Sequence, residues 1–200
     1  MRLVSIVLMA GFSRRMGQLK QHVKIGDKTF LEHIVSKLQA CNSDLDKMFF
    51  VGQKKDFVGA DYVNSIGGFF IENPAPDDGP LSSIRLALND IDEDSAFMLW
   101  PTDHPLIKIE TVLELITRWK EKPDFITVPS DGQFRGHPTI FPAWCRKFMF
   151  EVALDKGAKA VLQMFPEKIN YVLTQDPWIK RNINTPTLLE EAMNQIKARK

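Results

Sequence analysis

Residues 8 to 20 read Leu-Met-Ala-Gly-Phe-Ser-Arg-Arg-Met-Gly-Gln-Leu-Lys. Within nine residues of Gly11 the chain offers a hydroxyl (Ser13), two guanidiniums (Arg14 and Arg15), a second glycine (Gly17) and an ammonium (Lys20). Backbone N–H groups on a glycine-containing turn, joined by short donors and cations, are what a triphosphate needs. The preceding Leu3-Val4-Ser5-Ile6-Val7-Leu8 has the composition of a buried strand. The loop therefore follows the carboxyl end of a first strand, where open α/β sheets bind ligands. Its spacing is neither the Gly-x-x-x-x-Gly-Lys-Ser/Thr of a P-loop nor the Gly-x-Gly-x-x-Gly of the dinucleotide fold. On residue types alone, a basic loop after a strand can also be plain solvated surface.

Four further clusters carry chemistry. In Asp77-Asp78-Gly79-Pro80-Leu81-Ser82-Ser83-Ile84, Gly79 allows close approach and Pro80 suits the first position of a helix. Ser82 and Ser83 put hydroxyls and N–H groups at that helix's positive end, although the segment also reads as an ordinary helix start. In Pro101-Thr102-Asp103-His104-Pro105, a carboxylate follows directly on a strand and is held between two prolines. Such a hard oxygen ligand suits Mg²⁺, which takes one or two carboxylates plus phosphate oxygens; the alternative is that Asp103 caps the helix beginning near Ile107. Gly136-His137-Pro138 offers a lone imidazole that either hydrogen-bonds substrate or is structural. In Asn182-Ile183-Asn184-Thr185-Pro186, Thr185 is a good cap and Pro186 a good first residue for a last helix.

These clusters need a frame. The 200 residues, 44% apolar, can bury one substantial core, so residues 1–200 are read as a single domain. Twenty-six basic and 25 acidic residues leave a net charge of +1, so no global field favours nucleic acid or a membrane surface. No apolar run approaches the roughly 20 residues that span a bilayer. No signal-peptide pattern precedes the first strand. Cys41 and Cys145 are too few for a disulfide framework, and a reduced cytoplasmic protein is expected. Strand-like and helix-like stretches alternate. Helices are expected at Phe30 to Ala40, Leu81 to Leu88, Ile109 to Trp119, residues 143–152 and 157–164, and Pro186 to Ala198. Strands are expected at Met48 to Val51, Phe69 to Ile71, Ala96 to Trp100, Phe125 to Val128 and Asn170 to Thr174. Pro138 to Phe141 is expected to be an edge strand, because proline is tolerated there. The alternation predicts a three-layer α/β domain with a mainly parallel sheet.

The first cluster closely resembles the Leu-x-Ala-Gly-x-Ser-x-Arg-Met-Gly-x-x-Lys signature of nucleotidyltransferases, matched at Leu8, Ala10, Gly11, Ser13, Arg15, Met16, Gly17 and Lys20. Residues 79–84, 101–105 and 136–138 are similar to further elements of that family in the same order. Asp155 to Leu162 resembles its Gly-Asp-x-Gly-Ala-Arg-x-Leu stretch, with Lys156 where a small or polar residue is common. The tripeptide Gly136-His137-Pro138 is similar to one in molybdenum cofactor cytidylyltransferases. The resemblance implies a Rossmann-like, GT-A-like αβα domain with a mainly parallel mixed sheet. It implies transfer of a nucleoside monophosphate, from CTP by preference, to the phosphate of molybdopterin, with release of pyrophosphate. Leu8, Ala10, Gly11, Ser13, Arg15, Lys20, Gly79, Ser82 and Ser83 would bind nucleotide, and His137 the acceptor. Arg15, Lys20 and Asp103 would be catalytic, and Asp103 with Asn184 would hold Mg²⁺. Asn184 stands where relatives carry Asp, and the site has one negative charge fewer. A guanylyl- or sugar-phosphate-type enzyme and a catalytically weakened nucleotide-binding accessory protein are the alternatives. A molybdoenzyme or its chaperone is the transient protein partner implied.

Overall fold

The computed structural model describes residues 1–197. In chain order the elements are β1 (Leu3–Leu8), the hairpin β2 (Lys24–Ile25) and β3 (Lys28–Thr29), α1 (Phe30–Ala40), β4 (Lys47–Gln53), α2 (Phe57–Ser65), β5 (Phe69–Asn73), α3 (Pro80–Asn89), β6 (Ala96–Pro101), α4 (Ile109–Glu121), β7 (Ile126–Ser130), β8 (Thr139–Phe141), α5 (Arg146–Glu151), α6 (Lys159–Met164), β9 (Ile169–Leu173) and α7 (Pro186–Lys197). Seven strands form one sheet in the order β5-β4-β1-β6-β8-β7-β9. The pairings β5–β4, β4–β1, β1–β6 and β7–β9 are parallel, and β8 runs antiparallel to both its neighbours. The sheet is thus mixed and mainly parallel, and with helices on both faces the fold is a three-layer α/β fold.

The period-two geometry of a strand builds two cores, one on each face. Leu3, Val7, Phe50, Met98 and Trp100 pack with α1, α4 and α7, whereas Val4, Ile6, Phe49, Val51, Phe97 and Leu99 pack with α3, α5 and α6. Helices cover both faces, so the strands read as continuous apolar runs. α1 starts at a capping box: the Glu32 N–H donates to Thr29 Oγ1 at 3.2 Å, and the Thr29 N–H donates to Glu32 Oε2 at 2.6 Å. Among the described residues no helix is long and apolar enough to cross a membrane.

Three expectations are corrected. β8 is not an edge strand; it lies between β6 and β7, and β5 and β9 are the edges. Pro138 precedes the three-residue ladder, so the donor it lacks is not required there. β7 continues through Pro129, whose carbonyl accepts the Gly136 N–H at 2.8 Å. The helix expected at 143–152 is a single 3-10 turn (Ala143–Cys145) running into α5. The proposed end of the last helix at Ala198 lies outside the described residues.

Candidate active site

β1 and β6 lie side by side, and their carboxyl ends open into a cavity of about 590 Å³. The loop after β1 is fixed to its surroundings by its carbonyls. Gln53 Nε2 donates to the carbonyls of Ala10 (3.0 Å) and Gly11 (3.1 Å), and Thr102 donates to Leu8 O through both its N–H (3.0 Å) and its hydroxyl (2.6 Å). The N–H groups of Gly11, Phe12 and Ser13 donate to no protein acceptor among the described residues. Ser13 holds a left-handed backbone (φ 52°), which costs a non-glycine residue about 1–2 kcal/mol. Its hydroxyl oxygen offsets this by accepting the Lys20 N–H at 3.0 Å, which closes the loop.

Lys20 opens a single 3-10 turn, Lys20–His22, anchored by a buried carboxylate. Asp56, 2% exposed, accepts from Gln21 Nε2 at 2.6 Å, lies 2.6 Å from His22 Nε2 and caps α2 through the Gly59 N–H at 3.0 Å. This anchorage sends the Lys20 ammonium to Asp103 Oδ2 at 3.2 Å, with the two side chains only 20% and 22% exposed.

The Asp103 loop is held from three directions. Trp100 Nε1 donates to His104 O at 3.0 Å, the Ile183 N–H to Asp103 O at 2.7 Å, and Lys37 Nζ to Pro105 O at 3.0 Å. Burial pushes the Lys37 ammonium down to about 8. The helix-cap alternative for Asp103 is removed by another residue. At the start of α4 the Lys108 N–H and the Thr111 hydroxyl both donate to Asp176 Oδ2, at 2.7 and 3.0 Å. The Asp103 carboxylate is thereby left to the cavity.

His104 and His137 pack at the same end, ring centroids 4.7 Å apart. Burial lowers both, His137 to about 3, so both rings are neutral near neutral pH. His137 Nδ1 is sequestered without a partner among the described residues, and His104 Nε2 sits 3.8 Å from Asp103 Oδ1. Gly136 is required by close approach, because a Cβ there would stand 2.5 Å from the backbone oxygen of Ile179.

Across the cavity, Gly79 takes φ 86°, ψ 179° and turns the chain into α3, with Pro80 in its first position. The Ser82 hydroxyl donates to Gly79 O at 2.7 Å. The loop over residues 155–159 completes the wall. The lining carries three ammonium groups (Lys20, Lys156, Lys159) against two carboxylates (Asp103, Asp155).

Of the residues singled out from sequence, Leu8, Ala10, Gly11, Ser13, Lys20, Gly79, Ser83, Asp103 and His137 all line this one cavity. Arg15, Ser82 and Asn184 do not. Arg15 is exposed, Ser82 uses its hydroxyl on the α3 turn, and Asn184 is half-buried two residues past Asn182, which does line the cavity. Gln21, Gln53, Thr102, Asn73 and Lys159 were not singled out from sequence. Gln21, Gln53 and Thr102 matter through partners 35 to 94 positions away, and local patterning carries no signal of that.

An ion such as Mg²⁺ fits the donor chemistry of this end. Asp103 Oδ1 has no hydrogen-bond partner among the described residues, and Mg²⁺ is satisfied by a single carboxylate when phosphate oxygens supply more ligands. Among the described residues no group of three or more His, Cys, Asp or Glu side chains is placed to hold a metal alone.

Residues 5–170 match the MobA-like NTP transferase domain. No curated protein sequence matches the chain. Among solved structures, a homologue from Mycobacterium sp. strain JC1 of a Mycobacterium tuberculosis protein is similar at 22% identity, covering 100% of both chains with a TM-score of 0.79. Molybdopterin-guanine dinucleotide biosynthesis protein A from Archaeoglobus fulgidus is similar at 19% identity over 99% of this chain and 100% of that one, TM-score 0.71. CMP:2-keto-3-deoxy-manno-octonic acid synthetase, solved with CTP, is similar at 11% identity over 100% of both, TM-score 0.75. At these identities the likeness is one of fold.

Proposed function

The chain belongs to the MobA-like family of nucleotidyltransferases, and from that premise we propose that it transfers a nucleoside monophosphate, from CTP by preference, to the phosphate of molybdopterin or molybdenum cofactor. Pyrophosphate is the leaving group. The observation that carries this reading is the meeting of Lys20 and Asp103 at 3.2 Å beside a loop whose N–H groups face no protein acceptor.

The acceptor phosphate attacks the α-phosphorus in line, so the protein's work is positioning and charge stabilisation. The free N–H groups of Gly11 to Ser13 and the Lys20 ammonium hold the triphosphate. Lys20, with Arg15 swinging in from the loop's exposed side, stabilises the charge gathering on the departing pyrophosphate. Asp103 would hold Mg²⁺, and the Asn184 amide, half-buried just off the cavity wall, would have to turn in to serve as second ligand. That ion would supply Lewis-acid polarisation of the α-phosphoryl group and orientation of the attacking oxygen. The neutral His104 and His137 rings stand at the Asp103 end, where the anionic acceptor would approach, and the Lys156 and Lys159 ammoniums line the same cavity from the 155–159 loop. The Ala10-Gly11 ending of the first loop, where the guanylyl-transferring branch has Gly-Gly, favours CTP. A cytoplasmic site and a molybdoenzyme or chaperone as recipient belong to the same reading.

A second reading rests on Asn184. With a neutral amide in place of the relatives' carboxylate, the chain can be a nucleotide-binding accessory protein that has lost catalysis. The test is pyrophosphate release with CTP or GTP, molybdopterin and Mg²⁺. Release dependent on molybdopterin, and faster with CTP, is expected. CTP binding without pyrophosphate release would favour the accessory reading. Release with a sugar phosphate and none with molybdopterin would overturn the acceptor.

A further inference from the structure

Asn73, the last residue of β5, is 2% exposed, and its side-chain orientation is not free. Its Oδ1 accepts the Ala75 N–H at 2.8 Å, so the amide nitrogen must face the other way. There Nδ2 donates to Ser82 Oγ and Ser83 Oγ, each at 2.9 Å. The Ser82 proton goes to the Gly79 carbonyl. The Ser83 proton has no protein acceptor among the described residues, although Ser83 is 3% exposed and lines the cavity. A hydroxyl whose oxygen already accepts one strong donor is left to donate with its proton, and an unmet buried donor is costly.

Leu8, Pro80, Ile84 and Leu99 give the cavity that Ser83 lines an apolar wall, and Pro80 and Ile84 flank Ser83 on α3. Flat apolar faces with one polar edge are what a nucleobase presents, and they match this part of the cavity. We infer that Asn73 is a positioning residue that fixes Ser83 as a hydrogen-bond donor to an acceptor atom on the bound base. This inference rests on the nucleotidyltransferase reading of the cavity. It gives the base pocket a defined polarity: a base edge that presents a carbonyl oxygen or bare ring nitrogen to Ser83 is bound, and one that presents only an amino group is not.

The test uses Asn73→Asp, which has nearly the same shape but no donor. In that variant Ser83 must turn its proton to the carboxylate and can only accept. CTP and ribose 5-triphosphate, which lacks a base, are titrated with Mg²⁺ into wild type, Asn73→Asp, Ser83→Ala and the double variant. CTP affinity is expected to fall about tenfold in each single variant, and no further in the double than in Ser83→Ala. Ribose 5-triphosphate affinity is expected to be equal in all four. Unchanged CTP affinity in Asn73→Asp, losses that add in full, or a parallel loss of ribose 5-triphosphate would overturn the inference. Wild type binding CTP no better than ribose 5-triphosphate overturns it while leaving the phosphate site in place. Wild type binding neither removes the proposed function as well. If Asn73→Asp does not fold, Asn73→Ala carries the same test: it loses CTP affinity and keeps that for ribose 5-triphosphate, or the inference falls.

Discussion

Lys20 reaches Asp103 across 83 positions of sequence, and among the described residues neither has another charged partner as close. At this scale the chemistry is electrostatic: an ammonium and a carboxylate hold each other in a small, partly closed space, and in the proposed reaction a triphosphate takes over the ammonium. Lys20→Ala is expected to lower the rate of pyrophosphate release by about 10²–10³, the usual loss when one transition-state donor is removed. Arg15→Ala is expected to fall in the same range, and a near-normal rate would return Arg15 to the solvated surface where this structure places it. Both expectations come from residue type and spacing. That Asp103 is free for the cavity was not, because the cap on α4 comes from Asp176, 68 residues beyond Lys108.

Between elements, Asp56 is the strongest joint near the site. It caps α2 and anchors the Lys20–His22 turn, so one carboxylate sets β4, α2 and the phosphate loop against each other. Asp56→Ala removes a helix cap worth about 1 kcal/mol and strands the buried Gln21 amide, which costs about 1–3 kcal/mol more. Urea denaturation should therefore show a loss of about 3 kcal/mol, and Asp56→Asn, which keeps the cap, a smaller one. A change within about 0.5 kcal/mol for Asp56→Ala would mean that the joint contributes nothing. The joint is hidden in the sequence because α2 buries only Gly59 and Val63 and shows no clear apolar stripe. α1, with Phe30, Leu31, Ile34, Val35 and Leu38 on one side, shows that stripe plainly, and its bounds were read correctly.

For the whole molecule, the buried imidazoles make stability depend on pH. His137 is held at about 3 in the folded state against an ordinary 6.5, because burial disfavours its charged form. Between those values the unfolded chain binds a proton that the folded chain does not. The stabilisation is therefore complete above about pH 6.5 and is lost as pH falls toward 3, with a slope near 1.4 kcal/mol per pH unit for this one group. His104, shifted the same way, adds to it. Denaturation at pH 7.5 and 4.5 should show His137→Gln losing less stability than wild type over that interval, and equal losses would show that His137 is protonated when folded. The sequence by itself determined the alternation of strands and helices, the apolar runs that must be covered on both faces, and the glycine-bearing and cationic loops at strand ends. Those are local properties, set by periodicity, by proline and glycine geometry and by charge. Only the tertiary structure decided that β8 enters the middle of the sheet, that Asn73 orients Ser83, and that Asn182 rather than Asn184 faces the cavity. Strand order, and which side chains meet or face a cavity, are set by how elements pack on one another, and local periodicity does not contain that information.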